Sequence, residues 1–162
     1  MRILGIDPGF GRMGWGIIDE KSGKVTAINY GCLETSSKKE LPDRLRQVHL
    51  FVENLLSTYK PDAMAIEDLF FNTNAKTAFS VGQARGVIIL AATLKNIPVT
   101  TYTPLEVKIA IAGYGRAEKG QIGQMVKLLL GLDTIPKMDD TADALAIAMT
   151  HAFSNKTRAL GK

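Results

Sequence analysis

Cysteine and histidine are scarce in this sequence of 162 residues. The single cysteine, Cys32, excludes an intrachain disulfide, and with only His49 and His151 beside it the chain cannot build a structural zinc site. Chains without disulfides are typical of reducing compartments. We therefore expect a fold that depends on a hydrophobic core, for which the apolar fraction of 46% is sufficient.

Long hydrophobic runs are also missing. The longest apolar stretch, Gly86 to Leu94, is far shorter than the roughly 18 residues that a membrane-spanning helix needs. Near the N-terminus, Asp7 interrupts the apolar residues before the core of a signal peptide can form. These features predict a cytoplasmic protein without a membrane partner. The net charge of +4 permits a polyanionic partner without requiring one.

The spacing of apolar residues predicts an α/β protein. Residues 2–35 have the pattern of three strands joined by hairpin-like links. Helical periodicity over 41–59, 75–95, 104–112, 117–130 and 139–153 then alternates with apolar runs at 63–66 and 97–102. This order predicts a mixed five-stranded sheet flanked by helices. We expect a single domain over residues 1–154 and a flexible, basic tail over residues 155–162.

Four acidic residues lie at the ends of predicted elements, where ligand sites of such sheets form. Asp7 ends the first strand and Glu67 ends the fourth, while Asp140 and Asp143 share a face at the start of the last helix. Each lies beside apolar sequence, where an unpaired charge is costly and a shared divalent cation would compensate for it. Oxygen ligands without nearby cysteine or histidine favour Mg²⁺ or Mn²⁺.

Structural roles are the alternative for three of these acids. Asp7 can accept hydrogen bonds from backbone amides of its Pro-Gly turn, Asp140 can cap the last helix, and Asp143 can complement the helix dipole. Glu67 is harder to explain in this way, because it follows a strand with a fully buried pattern. A pair of metal ions held by such acids promotes in-line displacement at a phosphate, which in a basic protein suggests a nuclease.

Five segments in register extend this interpretation. They are Gly5-Ile6-Asp7-Pro8-Gly9, Ala65-Ile66-Glu67 followed by Phe70, Gly82-Gln83-Ala84-Arg85-Gly86-Val87, Tyr114 to Gln121, and Asp140-Thr141-Ala142-Asp143 to Ala148. Over about residues 2–153 they together resemble the RuvC family of bacterial Holliday junction resolvases. The resemblance implies a ribonuclease H-like fold, a homodimer, and cleavage of four-way DNA junctions by paired nicks that leave 5′-phosphate and 3′-hydroxyl ends.

The same resemblance implies a set of catalytic acids and partners. Asp7, Glu67, Asp140 and Asp143 match the family's catalytic acids, which hold two Mg²⁺ per subunit, with Mn²⁺ as a substitute. The spacing to Asp143 favours Asp140 over its neighbour Asp139 as a ligand. Family membership further implies contact with the branch-migration complex of RuvA and RuvB.

Candidate DNA contacts surround these acids. Phe70 and Phe71 are adjacent and cannot both face inward on a strand, and Phe70 matches a junction-stacking aromatic of the family. Lys108 and Lys119 match family lysines that bind DNA, and Arg116 is inferred from its basic neighbours. The alternatives are burial of both aromatic rings under a loop and a solvated charged surface.

Small residues are concentrated in two further segments. Ala78, Gly82 and Gly86 are four residues apart on one helix, where the two glycines lower helix propensity and all three small residues allow another backbone to come close. That backbone belongs either to the sheet or to the same helix of a second subunit, and the resemblance implies the second. The glycines between Gly9 and Gly14 resemble a phosphate-cradling loop, although their spacing matches no nucleotide-binding motif.

Two alternative functions share some of these features. A nuclease of the same fold can act on RNA, as in pre-ribosomal RNA processing. A non-catalytic protein can bind junctions without cutting them, but the presence of all four acids argues against this second alternative.

Overall fold

The computed structural model describes residues 1–68 and 75–160. Its strands are β1 (Arg2–Asp7), β2 (Arg12–Lys21), β3 (Lys24–Glu34), β4 (Ala63–Glu67) and β5 (Val99–Tyr102). Its helices are α1 (Leu41–Tyr59), α2 (Ala75–Leu94), α3 (Pro104–Ala112), α4 (Lys119–Leu130) and α5 (Asp139–Leu160). The strands form one sheet in the order β3-β2-β1-β4-β5. Because β2 is antiparallel to β1 and β3 while β4 and β5 run parallel to β1, the predicted mixed five-stranded sheet is confirmed.

The alternation of side chains along the strands divides the core into two layers. One face of the sheet packs against α3, α4 and α5 through residues such as Ile3, Ile18, Ala65 and Tyr102. The other face packs against α1 and α2 through Leu4, Ile6, Trp15, Met64 and Ile66. Asp7 and Glu67 follow the first of these two series, so both carboxylates belong to the face that α5 covers.

Local chemistry explains where the helices around the site begin and end. Thr103 and Glu106 form a capping box at the start of α3, with Pro104 in the first turn. Gly113 ends α3 and Gly131 ends α4 in the left-handed conformation, with φ of 83° and 64°. Among the helices in the described ranges, none is long and apolar enough to cross a membrane.

Helix α5 begins at the predicted residue but differs from its prediction in its N-cap and in its last residue. It begins at Asp139, and the carbonyl group of Met138 accepts its first backbone hydrogen bonds, so neither Asp139 nor Asp140 is the N-cap. It continues to Leu160, so most of the tail predicted over residues 155–162 is helical. The helix can extend this far because neither glycine nor proline occurs between its first and last residues.

Candidate active site

The carboxyl ends of β1 and β4 bring two of the predicted acids together. These strands are parallel neighbours, with Ile6 opposite Ile66 in their register. Asp7 and Glu67 are the next residues, so they lie side by side at one edge of the sheet. This edge is hereafter the carboxyl edge, defined by Asp7, Glu67 and the first turn of α5.

Glycines in the sheet allow α5 to come close enough to place Asp140 and Asp143 near Asp7. A Cβ atom at Gly14 would lie 1.8 Å from the carbonyl oxygen of Asp140, and one at Gly5 would lie 2.1 Å from that of Ala144. Only residues without a side chain can occupy these positions without moving the helix. Because Gly14 is opposite Asp7 in the β1–β2 ladder, the contact fixes the first turn of α5 beside Asp7.

Burial and mutual repulsion raise the pKa values of the acids in the sheet. Burial raises the pKa of Asp7 to about 8, and the negative charges of Glu67, Asp143 and Asp140 contribute further. The pKa of Glu67 is also raised, first by burial and then by Asp143, although a hydrogen bond with Asp7 opposes the shift. Asp7 therefore retains its proton near neutral pH and shares it with the Glu67 carboxylate.

Two basic side chains pair with the acids of α5. Nζ of Lys119 lies 2.9 Å from Oδ2 of Asp143, and Nε of Arg12 lies 3.2 Å from Oδ2 of Asp140. Burial raises the pKa of Asp143, while the hydrogen bond from Lys119 acts in the opposite direction. Partial burial acts to lower the pKa of Lys119, but its hydrogen bond to Asp143 and the surrounding acids raise it above the ordinary value.

The donor chemistry of this cluster fits a hard divalent cation, because every candidate ligand is a carboxylate oxygen. Oδ2 of Asp140 is buried and accepts no hydrogen bond from the described residues, since Arg12 contacts it without hydrogen-bond geometry. Within residues 1–68 and 75–160, no three such side chains are arranged to hold a metal ion as they stand. Binding would require Asp7 to release its proton and Lys119 and Arg12 to leave their carboxylates.

A pocket of about 290 Å³ opens beside Glu67 and Asp143. Lys108 of α3 and Lys119 of α4 line it, so two of the predicted basic DNA contacts lie next to the acids. Arg116 is exposed on the turn between α3 and α4 and is not part of the pocket wall. The structure thus brings Lys108 and Lys119 to the candidate site and leaves Arg116 outside this pocket.

The end of β4 is held from the opposite face of the sheet by Arg85 of α2. Its Nε donates a hydrogen bond to the carbonyl oxygen of Glu67 at 3.1 Å, and its Nη2 donates to Oγ1 of Thr101 at 3.0 Å. The same Nη2 lies 3.5 Å from Oδ1 of Asp68. Arg85 therefore fixes the backbone that carries Glu67 to the neighbouring strand β5.

Neither Arg12 nor Arg85 was identified from the sequence as a partner of the acids. Arg85 lies in the 82–87 segment that carries the family resemblance, but the sequence pattern of that segment predicts only a surface of small residues and no contact for Arg85. Arg12 gave no signal, because its pairing with α5 depends on the packing of distant segments. Phe70 and Phe71 lie outside the described residues, and their DNA contacts stay predictions.

The small-residue stripe predicted on α2 is only partly on the surface. Ala78 and Gly82 are half-buried, whereas Gly86 is exposed and a Cβ atom built on it would enter open space. Large apolar side chains of the same helix are also exposed: Phe79 by 70%, Leu90 by 53% and Leu94 by 68%. These three residues, which are not among the predicted site residues, extend the outward-facing surface of α2 beyond Gly86.

A mixed sheet in this order, with helices on both faces and clustered carboxylates at its carboxyl edge, defines a nuclease of the ribonuclease H-like class. A family model described as Crossover junction endodeoxyribonuclease RuvC matches residues 3–151. The crossover junction endodeoxyribonuclease RuvC of Brevibacillus brevis is 55% identical over 94% of this chain and 92% of that protein. That of Alkaliphilus metalliredigens is 52% identical over 100% and 99%.

A solved structure agrees with these sequence matches. Thermus thermophilus RuvC in complex with Holliday junction substrate has a TM-score of 0.89 and 34% identity, covering 97% of this chain and 96% of that one. The chain belongs to the RuvC family of crossover junction endodeoxyribonucleases. The family, the ribonuclease H-like fold and the enzyme class predicted from the sequence are confirmed. Members of this family are metal-dependent nucleases that resolve Holliday junctions in DNA recombination and repair.

Proposed function

We propose that Asp7, Glu67, Asp140 and Asp143 form the catalytic centre with which this chain cleaves four-way DNA junctions. The observation that carries the proposal is the convergence of these four acids at the carboxyl edge, where burial and repulsion raise the pKa values of Asp7, Glu67 and Asp143. Carboxylates that repel one another in a buried site are typical of sites that bind a cation or a substrate.

The four carboxylates would hold two Mg²⁺ per subunit, for which Mn²⁺ can substitute. Two such ions, when bound, activate water for in-line attack on a phosphate and stabilise the leaving oxygen. The chain's own part is to fix the ligands: the parallel register places Asp7 beside Glu67, and the contact at Gly14 places Asp140 beside Asp7 on the β2 side. The unsatisfied Oδ2 of Asp140 supports its assignment as a ligand in preference to the exposed Asp139.

The basic residues around the pocket would bind the DNA backbone. The Lys119 side chain is 62% exposed, so once its ammonium group leaves Asp143 it can reach an oxygen of the scissile phosphate and stabilise charge that develops there. Lys108, on the pocket wall, would contact a phosphate near the cut, and Arg116 one farther from it. Phe70 would stack on an unpaired base of the junction, with Phe71 beside it.

The substrate that fits this centre is a four-way DNA junction cut by paired, symmetric nicks in strands of like polarity. The Thermus thermophilus relative was solved with a Holliday junction substrate, and it aligns with nearly the whole of this chain. Attack by water on the phosphate from the side opposite the 3′ oxygen would leave 5′-phosphate and 3′-hydroxyl ends, which a ligase can join. Coordinated cutting of two strands requires two active sites.

A homodimer formed through α2 would supply the second site. Gly86 leaves room for a close approach, Ala78 and Gly82 border it, and Phe79 and Leu90 expose apolar side chains along the same helix. A twofold interface brings the same patch of both subunits together, which suits exposed apolar residues that repeat along one helix.

Size-exclusion chromatography with light scattering tests this dimer. Leu90→Glu is expected to shift the protein toward monomers, because it places two like charges in the shared interface. Leu128→Glu is the matched control, since Leu128 is exposed by 72% on α4 and away from α2. An unchanged dimer in Leu90→Glu, or an equal loss in Leu128→Glu, contradicts an interface through α2.

The remaining partners follow from family membership. We expect the enzyme to act in the cytoplasm on junctions that the RuvA and RuvB branch-migration complex has processed. We propose contact with that complex as part of the same function.

The proposed function is tested by incubating the protein with a synthetic mobile four-way junction, with and without Mg²⁺, and mapping incisions on all four arms. We expect paired nicks in two opposed strands, only with the cation, and products that a ligase can seal. Linear duplex DNA and linear RNA of matching sequence serve as control substrates. Preferential cutting of the RNA would overturn the proposal in favour of the RNA-processing alternative, and binding without incision would favour a non-catalytic protein.

A further inference from the structure

Besides Lys108 and Lys119, a third basic side chain lies at the carboxyl edge, and it has no role in the proposed function so far. Arg12 is the first residue of β2, and its Nε is 3.2 Å from Oδ2 of Asp140 while 56% of its side chain is exposed. Because β2 and β4 flank β1 on opposite sides, Arg12 approaches the acids from the β2 side. Lys119 approaches them from the other side, where it lines the pocket with Glu67 of β4.

The turn that presents Arg12 is firmly held. A Cβ atom at Gly9 would lie 1.8 Å from the carbonyl oxygen of Arg12, which makes this a tight turn that needs glycine. The carbonyl oxygen of Phe10 accepts hydrogen bonds from Oγ1 of Thr35 at 2.6 Å and from Nη2 of Arg44 at 3.0 Å. The Arg44 guanidinium also stacks 3.5 Å from the centre of the Phe10 ring. The backbone at Arg12 is therefore fixed while its side chain extends to solvent.

The contact between Arg12 and Asp140 is a weak ion pair. It has no hydrogen-bond geometry, it leaves Oδ2 unsatisfied, and one partner is largely exposed, so it contributes little to stability. Arg2 and Asp19, in contrast, form two hydrogen bonds of 2.9 Å and 2.8 Å. Arg12 can therefore leave Asp140 at little cost.

We propose that Arg12 is a substrate-binding residue that contacts a backbone phosphate of the junction on the β2 side of the acids, across from Lys119. The inference rests on the proposed function, because it takes Asp140 as a metal ligand. A divalent cation and the Arg12 guanidinium compete for the same oxygen of Asp140. The anion that then pairs with Arg12 is the phosphodiester backbone, which binds arginine through two parallel hydrogen bonds and without regard to base sequence.

The experiment measures junction binding in Mg²⁺ over a series of salt concentrations, with Asp7→Asn as the parent to prevent cutting. Adding Arg12→Ala is expected to weaken binding about fivefold and to reduce the slope of log affinity against log salt by about 0.9 for each subunit. Arg12→Lys should keep most of the affinity, because the charge is retained. Lys21→Ala is the matched control, since it removes an exposed lysine from the opposite end of β2 and should leave affinity and slope unchanged.

Three results would overturn the assignment of Arg12. The first is that Arg12→Ala leaves both the junction affinity and the salt slope unchanged. The second is that Lys21→Ala loses as much junction affinity as Arg12→Ala. The third is that Arg12→Ala loses affinity and also has a lower melting temperature. The last would show that Arg12 only supports the fold around Asp140. Failure of the parent to prefer the junction over linear duplex would instead overturn the proposed function together with this inference, so the two failures are distinguishable.

Discussion

Acids lie at both ends of the central sheet, but their surroundings shift the pKa values of these acids in opposite directions. At the end where β1 begins, Arg2 donates two side-chain hydrogen bonds to Asp19 and its backbone N–H donates to Asp62 at 2.6 Å. The hydrogen bonds from Arg2 lower the pKa of Asp19. At the carboxyl edge, the pKa values of Asp7 and Glu67 are raised because burial and neighbouring acids dominate.

The volumes of the pockets at the two ends do not correlate with these pKa shifts. The pocket at the first end, lined by Arg2, Asp19 and Asp62 among others, has a volume of about 650 Å³, whereas the one beside Glu67 and Asp143 has about 290 Å³. The larger pocket is lined by acids whose charges are compensated, so it offers a cation or a phosphate little. Acids whose pKa values are raised by burial and by neighbouring acids are therefore a better guide to the functional end of this sheet than the volume of a cavity.

The largest expected difference between the two ends appears when one acid at each end is replaced by a neutral amide and the rate of junction cleavage is measured. Asp7→Asn is expected to lower the rate of junction cleavage by about a thousandfold or more while junction binding is retained, because a catalytic ligand is lost and the fold is not. Glu67→Gln should behave alike. Asp19→Asn, the matched change at the other end, should leave the rate within about twofold. Unchanged cleavage in Asp7→Asn would refute its catalytic assignment.

The second prediction compares two glycines of β2 and its adjoining turn. Gly14→Ala forces a Cβ atom against the backbone of Asp140, so we expect a loss of about 2–3 kcal/mol in the free energy of unfolding and slower cleavage. Gly23→Ala, at the far end of β2, places a side chain at a positive φ of 85° and should cost about 1 kcal/mol with cleavage unchanged. Urea denaturation and junction cleavage measure both. Full activity in Gly14→Ala would show that the placement of α5 is not critical.

The third prediction uses the pH dependence of stability in EDTA. The pKa of Asp7 is raised from 3.8 to about 8 in the folded protein, so the folded state holds a proton that the unfolded state releases between these values. Stability should therefore be highest below pH 4 with respect to this group and decline as the pH rises toward 8. Asp7→Asn removes the penalty and is expected to stabilise the protein at pH 8 by on the order of 2 kcal/mol.

Thermal unfolding at pH 5 and pH 8 measures this effect. The stabilisation by Asp7→Asn should be larger at pH 8 than at pH 5, and Mg²⁺ should raise the melting temperature of the wild type more than that of the variant. A variant less stable than the wild type at pH 8 would show that the Asp7 carboxylate is already compensated, which removes the contrast between the two ends.

Much of the carboxyl edge could be predicted from the sequence, because parallel strands end on the same side of a sheet. Asp7 and Glu67 each follow a buried apolar strand, and that placement alone brings them together. The position of Asp140 is harder to predict from the sequence. It depends on the close contact between Gly14 and the backbone of Asp140, and these two segments are far apart in the chain. The pairing of Arg12 with α5 was hidden for the same reason.

The last prediction concerns the compensated end and is the smallest. Because the Arg2 and Asp19 side chains are about one-third exposed, solvent screens their interaction, and Asp19→Asn should cost only about 0.5 kcal/mol at pH 7. The pKa of Asp19 is lowered in the folded state, so its contribution is present above the ordinary carboxyl pKa and is lost as the pH falls through the folded value. The difference in the free energy of unfolding between wild type and Asp19→Asn should therefore disappear at acidic pH. The corresponding difference between wild type and Asp7→Asn should instead grow as the pH rises. Chemical denaturation at pH 3 and pH 7 checks this. A difference of the same sign and pH trend for both variants would contradict the view that the pKa values of Asp7 and Asp19 are shifted in opposite directions.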